Sequence, residues 1–135
     1  MVSEWELILR VLLAAVLGAG IGLQRELAGK PAGLRTHALI CLGSALFTVV
    51  SVVGFLGPDF SDQSRVAAGV VTGIGFLGAG AIIRGERGRI SGLTTASSIW
   101  AIAAVGIAIG IGLYVVGAAT SALIAVILAI PKIKE

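Results

Sequence analysis

Between Arg89 and Lys132 the chain carries no Asp, Glu, Lys or Arg. A bilayer-spanning helix takes about 20 mostly apolar residues. The charge-free run is too long for one span and right for two, divided where Gly110-Ile111-Gly112 offers a tight reversal. Three further apolar stretches precede it. The predicted spans cover residues 5–23, 36–56, 66–83, 92–109 and 113–130 of a single transmembrane domain, residues 1–135. Backbone groups in hydrocarbon must be satisfied within the segment, so the spans are expected to be helices and the fold class all-α and polytopic.

Composition supports the same reading. Of 135 residues, 57% are hydrophobic and 13% charged, against about 25% charged in a soluble domain. So few charges cannot cover a water-facing surface. The net charge of +3 would suggest nucleic acid in a soluble protein. Here the basic residues cluster between apolar runs and read as orientation signals, so the expected partner is the lipid bilayer and not nucleic acid. One cysteine, Cys41, and one histidine, His37, exclude an intramolecular disulfide and a Cys/His zinc site within one chain. The first helix opens on Glu4-Trp5-Glu6 and is followed by more apolar helices. It is therefore expected to be a span and not a cleaved signal peptide.

Eight of the ten Lys and Arg residues fall on one side of the predicted spans: Arg25, Lys30, Arg35, Arg84, Arg87, Arg89, Lys132 and Lys134. Arg10 and Arg65 fall on the other. Short basic loops stay in the cytoplasm, so the N-terminus is expected outside and the C-terminus inside. Trp5, Phe60 and Tyr114 then lie near the outer interface, and Trp100 reads as a packing residue inside the fourth helix.

The chain also repeats itself. Leu17-Gly-Ala-Gly20 returns as Leu77-Gly-Ala-Gly80, and Gly33-Leu34-Arg35-Thr36 as Gly92-Leu93-Thr94-Thr95, one residue out of register. Helices 1–2 and 3–4 are expected to be parallel copies, with a site at their interface.

Gly73-Ile-Gly75-Phe-Leu-Gly78 matches a dinucleotide-binding pattern, but that pattern works only between a strand and a helix. Inside a span the glycines read as packing residues that let helix backbones approach. The set is Gly18, Gly22, Gly69, Gly73, Gly75, Gly78, Gly80, Gly106 and Gly110. Helix 3 holds most of them and is expected at the bundle centre or at a dimer interface. Arg10 lies within a span, with Glu6 at i−4 as a partner and the outer interface in snorkelling reach.

The inner loops hold most of the polar chemistry. In each, a charged cluster runs through glycines to a Thr-bearing helix start, with Thr36, Ser91, Thr94 and Thr95 as cap candidates. Helix starts beside Arg and Lys suit an anion such as phosphate or a lipid head group; ordinary topology signals with surface ion pairs are the alternative. For a divalent cation, Glu26, Glu86, Asp59 and Asp62 are the weak oxygen-ligand candidates. No nucleophile–base–orienter set is present, so the chain is not expected to be an enzyme.

Three segments together resemble the MgtC/SapB family of bacterial membrane proteins: Ile21 to His37, Gly73 to Gly80, and Gly92 to Trp100. The resemblance implies a multi-pass protein of the bacterial inner membrane, associated with magnesium homeostasis. Magnesium is then a ligand or substrate, and no resident cofactor is implied. The leading expectation is an oligomeric permease-like module; the alternatives are a regulatory role toward other membrane machinery, which the resemblance extends to the ATP synthase, and an anion or head-group sensor. Some members add a soluble C-terminal domain, which this sequence is expected to lack. Carried over by position, the functional cluster is Arg25, Glu26, Lys30, Arg35, Thr36, His37, Arg84, Glu86, Thr94 and Thr95. Five helices make thin walls for a pathway, so a homodimer or larger assembly is expected, with other membrane proteins as possible partners.

Overall fold

Ser3 opens the first helix, its hydroxyl accepting the Glu6 backbone N–H at 3.3 Å. Glu4 and Glu6 in the first turn suit the positive end of the helix dipole. This helix, α1, runs Glu4–Leu27. It is followed by α2 (Leu34–Gly54), α3 (Ser64–Ala81), strands β1 (Ile83–Arg84) and β2 (Ile90–Ser91), α4 (Leu93–Gly110) and α5 (Tyr114–Ala129). The structure is a computed structural model and describes residues 2–55, 62–84 and 88–133, with only the backbone of Ile83 and Arg84. Of the residues singled out in the sequence, Asp59, Phe60, Glu86, Arg87 and Lys134 lie outside the described residues, as does the side chain of Arg84.

Four helices, α1 to α4, are long and apolar enough to cross a membrane. With 16 residues, α5 is apolar but shorter, roughly 24 Å at 1.5 Å per residue against a hydrocarbon core of about 30 Å. The reversal between α4 and α5 falls where expected. Gly112 takes φ +91°, and the Leu113 and Gly112 N–H groups bond back to the carbonyls of Ala108 and Ile109 at 2.9 and 3.0 Å. This arrangement closes a helix end with a left-handed residue.

The core is built by close backbone approach. A Cβ on Gly18 would lie 2.4 Å from the His37 carbonyl oxygen, and one on Gly22 would lie 2.5 Å from that of Gly33. Gly106 and Gly110 bring α4 equally close to Cys41 and Thr48 of α2. Helix α2 is thus clamped between α1 and α4. Ala14, Ile21, Cys41, Ala45, Ile102, Val105 and Ile109 fill the seam, with Ile124 reaching in from α5.

Three expectations are corrected here. Helix α3 is not at the bundle centre: 11% of its apolar window is buried, against 50% for α4. It touches the bundle through Ile74, against Ile99 and Ala103, and through Gly78, against Ala96. Gly69, Gly73, Gly75 and Gly80 have nothing within 4 Å of a built Cβ, so within one chain they pack nothing. Glycine density reports a smooth face, and hydrophobic contact decides whether that face is covered. Trp100 is 60% exposed and faces outward instead of packing. The second inner loop is partly a two-stranded hairpin, with Ile83 opposite Ser91 and Arg84 opposite Ile90.

Candidate functional site

The starts of α2 and α4 differ from the expected caps. Helix α2 starts at Gly33 and α4 at Gly92, neither with a side-chain cap. Thr36, Thr94 and Thr95 lie inside the first turns, and Ser91 pairs in β2. Gly92 takes φ +90°, and a Cβ there would lie 2.1 Å from the Ala81 carbonyl oxygen. Only glycine satisfies both conditions.

Gly22 presses the last turns of α1 against the start of α2. Three residues on, and so on the same face, Arg25 enters the same seam and is 5% exposed. Its Nη2 donates to the Pro31 carbonyl at 3.2 Å and to the Thr95 hydroxyl of α4. Its Nε is enclosed and has no hydrogen-bond partner. The neighbouring Gln24 reaches α5, donating to the Ala125 carbonyl at 2.8 Å, while its Oε1 is enclosed without a partner.

His37 is fully buried beside this arginine. Its Nδ1 lies 3.2 Å from the Gly33 carbonyl and its Nε2 3.0 Å from the Ser98 hydroxyl. The Ser98 oxygen also lies 2.8 Å from the Thr95 carbonyl. One hydroxyl proton can serve either the carbonyl or the ring, so the Ser98 rotor and the imidazole tautomer are coupled. Arg25, Thr95, Ser98 and His37 form one polar chain joining α1, α2 and α4.

The remaining candidates are peripheral to it. Lys30, Arg35, Thr36 and Thr94 are exposed. Glu26 is exposed beside Gly33, where a built Cβ would meet its Oε1 at 2.7 Å. Asp62 accepts from the backbone N–H and the hydroxyl of Ser64, at 2.9 and 2.5 Å, at the start of α3. Those bonds, the hydroxyl's first, hold its carboxyl below the usual range. Among the described residues, no three of His, Cys, Asp and Glu come together as a metal cage.

At the opposite end of the bundle, sequence reasoning paired Arg10 with Glu6 and missed its other partners. Arg10 is 7% exposed. Its Nη2 meets Glu6 at 3.1 Å, its Nη1 donates to the Gly110 carbonyl at 2.9 Å, and its Nε lies 3.0 Å from the Tyr114 hydroxyl. That hydroxyl donates onward to Glu6 at 2.9 Å. The one available signal was that Tyr114 follows the outer turn at the depth of Arg10. Ser98 also faces inward, three residues along the helix from the buried Thr95.

The chain matches the MgtC family over residues 11–135. It is 52% identical over 117 residues to the Escherichia coli K12 protein named "Putative magnesium transporter YhiD", a match covering 83% of this chain and 54% of that one. It is 45% identical over 105 residues to protein MgtC of Salmonella typhimurium, covering 78% and 43%. It is 40% identical over 114 residues to protein SapB of Bacillus subtilis, covering 81% and 49%. The chain spans about half the length of these curated relatives. No solved structure matches. With all but the first ten residues inside the match, the chain belongs to the MgtC family.

Proposed function

We propose that this chain is a multi-pass inner-membrane module of magnesium homeostasis that does not itself conduct the ion, but binds and regulates other membrane machinery. The observation that carries the reading is the sign of the buried charge. Among the described residues, the buried charged side chains are Arg10 and Arg25, and no carboxylate is buried. A magnesium ion gives up water only to oxygen ligands, carboxylates above all. A path through one chain would instead meet a guanidinium at each end. The magnesium link itself comes through the family and through the printed name of the E. coli relative.

The open face of α3 fits a module that acts by contact. Gly69 and Gly73 line, with Leu39, Phe47 and Val66, an apolar groove of about 650 Å³ between α2 and α3. Small residues on such a face allow another helix to approach closely in lipid. A second copy of the chain or another membrane protein would pack there, and no catalytic role is assigned.

Two further elements belong to this reading. The N-terminus lies outside and the C-terminus inside, supported by the placement of eight of ten basic residues. Helices α1–α2 and α3–α4 are parallel copies. Gly18 abuts His37 and Ala38, and Gly78 abuts Ala96. Gly78 follows Gly18 by sixty positions and Ala96 follows His37 by fifty-nine, the same one-residue slip seen in the sequence.

A permease built from several copies is the second reading, favoured by that printed name and by the unfilled α2–α3 groove. The deciding measurement is magnesium entry into proteoliposomes holding the purified chain and an internal magnesium dye. Entry no faster than in empty liposomes is expected. Protein-dependent entry abolished by Glu26→Gln or Glu86→Gln would replace the regulatory reading with the permease.

A further inference from the structure

A guanidinium has five N–H donors. In Arg25, Nη2 uses two of them, on Pro31 and Thr95. Among the described residues that leaves three without a partner, of which the Nε–H is enclosed. No carboxylate of the described residues answers the charge. Among the described residues the one ion pair is Arg10–Glu6, and Glu26, adjacent in sequence, turns instead to Gly33.

The surroundings add positive potential. Thr95, which Arg25 touches, sits in the first turn of α4. Pro31 leads into the start of α2. Neither helix start has a side-chain cap, so first-turn N–H groups and the positive dipole ends of two long helices converge on one cation. Exposed Lys30 and Arg35 flank the same loop. An unpaired buried charge is costly even after relaxation, and a convergence of like sign raises that cost. Arg25 lies in the last turn of α1, at the level where a spanning helix meets the head groups.

From these observations we infer that Arg25 and the first turn of α4 form a binding site for a phosphate-bearing anion, either a lipid head group or free phosphate. The anion takes the Nη1 donors of Arg25, with Thr95 and the α4 start completing its neutralisation. A phosphate oxygen suits this setting because it accepts several N–H donors at once and is favoured at helix starts. The site does not depend on whether assemblies of the chain conduct magnesium.

The test uses the purified full chain in nonionic detergent, with thermal unfolding followed by the fluorescence of Trp5 and Trp100. Three additions are compared at matched ionic strength: short-chain phosphatidylglycerol, short-chain phosphatidylcholine and inorganic phosphate. Phosphatidylglycerol is expected to raise the midpoint by about 4 °C over phosphatidylcholine at roughly tenfold its dissociation constant. A matching rise with inorganic phosphate assigns the site to phosphate as such; a rise with the lipid alone assigns it to the head group. Arg25→Gln and Thr95→Val should abolish or halve the rise, and Lys30→Gln and Arg35→Gln should keep it. Should Arg25→Gln yield no folded protein, Arg25→Lys retains the charge without the fork and is expected to lose most of the rise.

No rise in the wild-type chain with either anion overturns the site. So does a rise lost equally in Lys30→Gln, since diffuse surface charge then explains it. A Glu86→Gln variant as unstable as Arg25→Gln, with no anion dependence in the wild type, would overturn it in favour of a counterion within the chain.

Discussion

Arg10 and Arg25 are both buried arginines on α1, four turns apart, and they are treated oppositely. Arg10 meets a carboxylate, a phenol and a carbonyl at the C-terminal, electronegative end of α4. Arg25 meets a carbonyl and a hydroxyl at the N-terminal, electropositive ends of α2 and α4, with an enclosed N–H left over. The same residue type is a closed staple at one end of the bundle and an open cation at the other. Burial alone therefore does not distinguish a structural charge from a functional one; the sign of the neighbouring helix end and the tally of partners do.

The largest expected effect strikes the closed end. A Cβ on Gly110 would lie 2.7 Å from Thr48 Cβ and 2.8 Å from the Ala45 carbonyl oxygen. Gly110→Leu would push α4 off α2 and displace the carbonyl that holds Arg10. A loss of about 3 kcal/mol or more is expected, read as a collapse of the thermal midpoint. Gly73→Leu, on the open face of α3, should leave the midpoint of the detergent-purified single chain almost unchanged. Equal losses in the two variants would mean that α3 is enclosed after all.

Arg10→Gln comes next. It removes three charge-assisted or neutral bonds and leaves the Gly110 carbonyl without its donor. About 2–3 kcal/mol should be lost, part of it screened at high salt because the Glu6 carboxylate is exposed to solvent. Unchanged stability would show the staple to be ornamental. Tyr114→Phe deletes one hydroxyl that both accepts from Arg10 and donates to Glu6. Glu6 is partly solvated, so about 1 kcal/mol is expected, measured in the same unfolding assay.

The helices were legible because lipid imposes a simple rule: charge-free runs of span length must be helical. The Gly110-Ile111-Gly112 reversal followed from the same arithmetic. What was not legible is which face each helix buries. Helix α3 is the richest in glycine and the least covered, while α4 carries Gly106 and Gly110 and is the most covered. In a helix that is apolar all round, no polar stripe marks the solvent side, so the pattern that orients soluble helices is missing. The site was half legible for a related reason. Arg25, Thr95 and His37 were singled out as charged or polar residues near helix starts. That Lys30, Arg35, Thr36 and Thr94 face outward, and that Ser98 joins the chain, depends on helix rotation set by Gly18 and Gly22 between α1 and α2 and by Gly106 and Gly110 between α2 and α4.

The smallest expected effect is the most informative about Arg25. Arg25→Gln removes two hydrogen bonds, together worth about 2 kcal/mol. It also removes a buried charge that has no carboxylate partner among the described residues, and whose desolvation costs several kcal/mol. The two contributions oppose each other. In phosphate-free buffer and uncharged detergent the variant should therefore lie within about 1 kcal/mol of the wild-type chain, on either side. Adding anionic lipid should then open a gap, because only the wild-type chain gains. Arg10→Gln should show the reverse, a large loss in every lipid. A loss for Arg25→Gln as large as that for Arg10→Gln, and independent of lipid, would mean that both arginines are satisfied from within the chain, and the contrast between the two ends would vanish.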